Sequence, residues 1–200
     1  MPSAPAETFL LVDGENIDAT LGGSFTYNAS DGHATSSNFA TATVVNNATT
    51  ATTLTGTGAN EILIASQGNE ALNGGGGNDI LFGNGGNHVL TGGSGNDTFA
   101  FQSQPTGTNV ITDFNNTAEN DHIAVSANSF GGGLTAGQDV TSVFETSGDD
   151  QFSGSGAVFH FDTANETLYF SSDGTQASAI TVASVQAGVL LHAHDLLIVV

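Results

Sequence analysis

Between Gly56 and Ala100 a large apolar residue returns every nine positions, at Leu63, Leu72, Leu81, Leu90 and Phe99. The registers read GTGANEILI from Gly56, ASQGNEALN from Ala65, GGGGNDILF from Gly74, GNGGNHVLT from Gly83 and GGSGNDTFA from Gly92. Each has asparagine in fifth place, at Asn60, Asn69, Asn78, Asn87 and Asn96. Three residues such as Ile80-Leu81-Phe82 form only a very short strand, whose middle side chain faces one way and whose neighbours face the other. The glycine-rich half of the unit supplies a tight turn. Two units then make one coil of a solenoid, with successive strands on opposite walls and the apolar column meeting in a narrow interior.

The sixth position reads Glu61, Glu70, Asp79, His88, Asp97. Because a coil takes two units, turns one coil apart share a side. Glu61, Asp79 and Asp97 therefore stack on what we call the odd side, and Glu70 and His88 on the even side. Coils in a parallel stack sit about 4.8 Å apart. Carboxylates that close repel each other unless a divalent cation lies between them and glycine carbonyls complete a shell of roughly six to eight oxygens.

GGGGNDILF and GGSGNDTFA resemble the RTX, or hemolysin-type, nonapeptide GGxGxDxUx. The resemblance implies an all-β fold: a calcium-binding parallel β-roll over 54–101, flanked by short antiparallel β segments and a β-rich C-terminal cap over 102–194. The best Ca2+ site is expected between the turns Gly74 to Asp79 and Gly92 to Asp97. Gly74, Gly76, Gly92, Gly93 and Gly95 would supply carbonyls there, with both aspartates. Glu61 and the Asp79 turn would form a second, weaker site. Histidine is a poor calcium ligand, so His88 reads as a degenerate repeat position.

The flanks are less regular. Asn109 to Val125, NVITDFNNTAENDHIAV, resembles the segment after the roll in serralysin-type C-terminal domains, and by that likeness Asp113 and Asp121 are candidate calcium ligands. Their alternative role is turn formation and capping. Glu166 to Phe170 and Ala177 to Val182 read as a hairpin around Asp173-Gly174, with no metal assigned to Asp173. The last six residues, Asp195-Leu-Leu-Ile-Val-Val, resemble the uncleaved export signal of type I secreted proteins; the alternative is a final buried strand. Residues 1–50 offer two strands, Gly22 to Tyr27 and Ala40 to Val45, with a turn at Ser30-Asp31-Gly32. They resemble the end of an Ig-like or cadherin-like adhesin repeat, and either close a longer protein or pack on the roll.

Charge sharpens the reading. The 200 residues contain no lysine or arginine and 20 Asp plus Glu, a formal net charge of −20. Such a chain cannot grip phosphates, which excludes a nucleic-acid role and anionic membrane surfaces. Yet only 10% of residues are charged and 38% are hydrophobic, unlike a disordered acidic tail. A hard cation taking oxygen ligands is the natural replacement for the missing basic side chains. Without cysteine the chain has no disulfides and no thiolate chemistry. Neither a basic n-region with an apolar core nor an apolar run of about 20 residues is found, so export by a cleaved N-terminal signal and membrane insertion are not expected.

Catalysis is not expected either. None of the six histidines begins an H-E-x-x-H motif, and no G-x-S-x-G elbow is present. His192-Ala-His194 places two imidazoles on one strand face without an evident third ligand, and reads as two ordinary histidines. The expectation is a non-catalytic calcium-binding module of a secreted or cell-surface protein, an adhesin among the candidates. Its partners would be calcium ions and the type I secretion machinery. The alternative is a module for a surface glycan, which calcium would have to bridge.

Overall fold

A computed structural model describes residues 23–27, 40–44, 52–117, 119–149 and 151–200. The nine-residue period becomes two facing walls. On the first lie β4 (Glu61–Ile64), β6 (Ile80–Phe82) and β8 (Thr98–Phe101); on the second lie β3 (Thr52–Thr55), β5 (Glu70–Gly76) and β7 (His88–Ser94). Neighbours within a wall are parallel and one coil apart, pairing Leu63 with Leu81 and Leu81 with Phe99, and Leu72 with Leu90. This register places every eighth-position side chain inside: Leu63, Leu72, Leu81, Leu90 and Phe99 are all buried. In β6 the pattern is the expected one, with Leu81 buried and Ile80 and Phe82 half-exposed on either side.

The coil stack does not stop where the nonapeptide stops. The second wall continues from β7 into β9 (Asn109–Ile111) and then β14 (Ile180–Ser184). The first wall continues from β8 into β10 (His122–Ser126) and β15 (Leu196–Val199), both parallel. What reads in the sequence as a separate cap is therefore built onto the roll by extending both of its sheets. Antiparallel pairing enters with β12 (Val158–Asp162), β13 (Thr167–Ser171) and β14, and β11 (Phe144–Ser147) adds parallel to β12. The β13–β14 hairpin lies close to the expected one, and its turn is tied by Asp173, which accepts from Thr175 N at 2.9 Å.

The core changes character along this axis. Within the roll it is a single apolar column; beyond it Phe130, Phe159 and Phe170 cluster, with ring centroids 4.8 Å apart for Phe159–Phe170 and 5.3 Å for Phe130–Phe170. Only one large apolar side chain per nine residues is a thin core for a stack of glycine-rich coils, because each ordered residue costs conformational entropy. The wider phenylalanine cluster gives the last coils a heavier end to rest on. At the opposite end, β1 (Gly23–Tyr27) and β2 (Ala40–Val44) are antiparallel, and β2 pairs in parallel with β4. These strands join the edge of the roll. The Ser30-Asp31-Gly32 turn and residues 1–22 lie outside the described residues.

Candidate metal centre

The odd-side turns form two hydrogen-bonded ladders. Along the outer one, each fifth-position asparagine accepts a backbone amide from the next coil: Asn60 Oδ1 from Asn78 N (2.8 Å), Asn78 Oδ1 from Asn96 N (2.9 Å) and Asn96 Oδ1 from Asn120 N (3.1 Å). Along the inner one, Glu61 N donates to Asp79 Oδ1, Asp79 N to Asp97 Oδ1 and Asp97 N to Asp121 Oδ1, each at 2.8 Å. The four acids are stacked and buried. Each aspartate thus spends one oxygen holding the turn before it.

The other oxygen separates the expected ligands into two groups. Asp79 Oδ2 and Asp97 Oδ2 are buried with no hydrogen-bond partner. They face the backbone of their own turns, so closely that a Cβ at Gly74 would collide with Asp79 Oδ2 and the Gly92 carbonyl, and one at Gly92 with Asp97 Oδ2. Glycine is required at both places for space. At Gly74 the Asp79 Oδ2 and the Gly92 carbonyl oxygen come together, oxygens of the kind a hard divalent cation takes. By contrast, the remaining acids have partners for both oxygens. Thr57 N donates to Glu61 Oε2 (3.0 Å) while its hydroxyl meets Oε1. Asp113 accepts Gly92 N and Gly93 N, and Asp121 Oδ2 accepts Asn115 N. Among the expected glycines, Gly76 N donates to Thr57 O at 3.0 Å, and Gly95, at φ 125°, gives its amide to Glu119 Oε1 at 3.0 Å.

Burial disfavours the charged form of these carboxyls. It pushes Asp79 up to about 7, and the neighbouring Asp97 and Glu61 charges act in the same direction, against the Glu61 amide bond. Burial likewise raises Asp121 to about 6 against the amides of Asp97 and Asn115. Asp97 is raised too, by burial and then by the Asp113 and Glu119 charges. A column of acids in this state is short of a cation.

The even side is built differently. His88 is buried, with Nε2 at 2.9 Å from the Gly85 carbonyl and Nδ1 at 3.0 Å from Glu70 Oε2. The Ser66 hydroxyl meets Glu70 Oε1. The contact to Oε2 lies off the hydrogen-bond line, and Nδ1 is also 3.3 Å from Glu70 N. His88 therefore fills the turn that its sequence position marked only as degenerate. The next even position, Asn109, is buried with neither amide atom hydrogen-bonded.

Glu119 and Asn120 escaped the sequence reading, which named Asp121 without its place in the ladders. Glu119 follows no period and has no signal. Asn120-Asp121, in contrast, repeats the pairs Asn78-Asp79 and Asn96-Asp97 and enters both ladders, at a spacing of 24 where the earlier steps are 18. The recurring Asn-Asp pair was the legible clue. A strict nine-residue search passes over it because the intervening loop is longer.

No curated protein matches the chain. A family profile does, that of the RTX calcium-binding nonapeptide repeat, in four copies covering residues 55–87 and 64–99. Repeats of this family bind Ca2+. The matched residues are those whose turns carry the asparagine ladder and the unpartnered aspartate oxygens. Residues 55–99 of this chain are an array of RTX calcium-binding nonapeptide repeats.

Proposed function

We propose that the chain is a non-catalytic module of a protein exported by type I secretion, and that extracellular calcium drives its folding. The observation that carries the reading is the pair of buried, unpartnered oxygens, Asp79 Oδ2 and Asp97 Oδ2, in a stack of buried acids. Without a cation, folding must bury these carboxyls against one another and order glycine-rich turns around a thin core. With calcium scarce, as in a cytosol, the unfolded chain is favoured, which suits passage through an export channel. Outside, millimolar calcium meets sites whose dissociation constants, for extracellular modules, run from about 0.1 to 1 mM. Each site occupied at tenfold excess adds about 1.4 kcal/mol to the folded state.

The residues that would hold calcium are Asp79 and Asp97 with carbonyls of their glycine turns, while Glu61, Asp113 and Asp121 order the amides around them. The Asp195 to Val200 tail resembles type I export signals, and its Leu196–Val199 also form the half-buried strand β15, the alternative the sequence left open. An adhesin parent rests on the sequence likeness of the N-terminal strands alone, since β1 and β2 join the first wall of the roll. Far-UV circular dichroism of the full chain with EDTA and with millimolar calcium tests the reading. A β-sheet spectrum that appears only with calcium is expected, and an equally folded chain in EDTA would overturn it.

A further inference from the structure

Three ligand-bearing side chains converge at the other end of the molecule, just before β15. His192 precedes and His194 lies within a short 3-10 turn, Ala193–Asp195, in place of the strand that their spacing suggests. Their rings stack at 5.1 Å between centroids and 14° between planes. Asp195, buried beneath them, supplies the third ligand that the sequence does not reveal. His192 Nδ1 is 3.5 Å from Asp195 Oδ2 and His194 Nε2 is 3.3 Å from Oδ1, and the three ligand atoms lie within 4.8 Å of one another.

We propose that His192, His194 and Asp195 form a binding site for a borderline divalent transition ion of the zinc type, separate from the calcium turns. A tetrahedral ion with bonds of about 2.0–2.1 Å holds its ligand atoms about 3.3–3.4 Å apart; His194 Nε2 and Asp195 Oδ1 meet that spacing at 3.3 Å, and His192 Nδ1, which lies 3.5 Å from the other carboxylate oxygen, completes the set after a small ring shift. Imidazole nitrogen selects such ions over calcium, which takes oxygen. The cluster is also supported from behind. Asp195 Oδ2 accepts Asn116 Nδ2 and His192 N, each at 2.7 Å, which fixes the carboxylate and leaves Oδ1 toward His194. Asn116 is itself anchored to the Leu190 carbonyl at 3.0 Å, and its Nδ2 faces His192 Nδ1 at 3.5 Å. Outer partners of this kind orient metal ligands. Both imidazoles are largely exposed, so solvent can complete the coordination.

Such an ion would fix the 192–195 segment that leads into β15, which Asn116 ties to the loop that carries Asp113 and Asp121. The site is independent of the calcium reading, and its test is arranged accordingly. The full chain, held in excess calcium, is titrated with Zn2+ by calorimetry and with Co2+ by visible absorption. One equivalent should bind, with the intense d–d bands of tetrahedral cobalt. His192→Ala combined with His194→Ala should remove the bands and weaken Zn2+ binding at least tenfold, while the far-UV spectrum stays unchanged because both rings are exposed. Asn116→Ala should weaken binding by about 10- to 100-fold without touching a ligand. Absence of Zn2+ binding in the native chain, or unchanged binding in the double histidine variant, would overturn the proposal.

Discussion

The two turn columns of the roll come from one nonapeptide and bury a titratable side chain at the same position, yet they deal with its charge in different ways. On the odd side an acid follows an acid, from Glu61 through Asp79 and Asp97 to Asp121, and two oxygens are left without partners. On the even side Glu70 meets His88, whose second ring nitrogen faces the Gly85 carbonyl. One column leaves buried carboxylate oxygens without a partner from the chain. Its twin sets an imidazole of the chain against the acid, at the repeat position that carries aspartate on the odd side.

The largest effect expected from breaking this contrast is on the calcium response. Asp79→Ala with Asp97→Ala should abolish most of the calcium-induced rise in melting temperature, about 1.4 kcal/mol for each site lost at tenfold excess, whereas His88→Ala should leave that rise in place. Calorimetry with and without calcium compares the two; the reverse ranking would sink the assignment of sides. The even side should instead be sensitive in a calcium-independent manner. Removing His88 strands Glu70 in a dry position and should cost roughly 3–5 kcal/mol in urea denaturation, with much of the loss restored by adding Glu70→Gln.

Protons should partly replace calcium on the odd side only. A carboxyl whose folded pKa lies above its unfolded value binds protons more tightly when folded, so it destabilises the fold increasingly as pH rises through that interval. For Asp79 the interval runs from 3.8 to about 7, and for Asp121 from 3.8 to about 6. The metal-free chain should therefore be more stable at pH 5 than at pH 7.5, and calcium should add least at the lower pH. Denaturation curves in EDTA and in calcium at the two values measure this, and flat stability across the window would contradict the buried-acid column. The smallest effect belongs to the shared outer ladder. Asn78→Ala removes one exposed acceptor for Asn96 N and should cost about 0.5–1.5 kcal/mol, with calcium binding retained.

Periodicity is the reason so much of the roll was legible. A repeat in strict register means that one local rule, a short strand and a glycine turn, is applied at every coil, so wall, parity and core follow from counting. The same counting located Asp79 and Asp97. It could not show that Glu61 is already satisfied by Thr57, or that Asp113 caps the amides of Gly92 and Gly93, because those partners are set by side-chain rotamers and loop paths. Nor could it show that β9, β10, β14 and β15 prolong the walls, since the intervening loops have no common length.

By itself, then, the sequence determined the nine-residue unit, the buried column from Leu63 to Phe99, the two-sided parity of the turns and the need for a cation in a chain with no lysine or arginine. The tertiary structure alone decided which acids keep a free oxygen, that His88 closes on Glu70, and that Asp195 and Asn116 gather around His192 and His194. The division has a physical cause. Repeated local geometry is written in spacing, whereas the pairing of one buried polar atom with another depends on which segments, up to 79 residues apart for Asn116 and Asp195, the fold brings into contact.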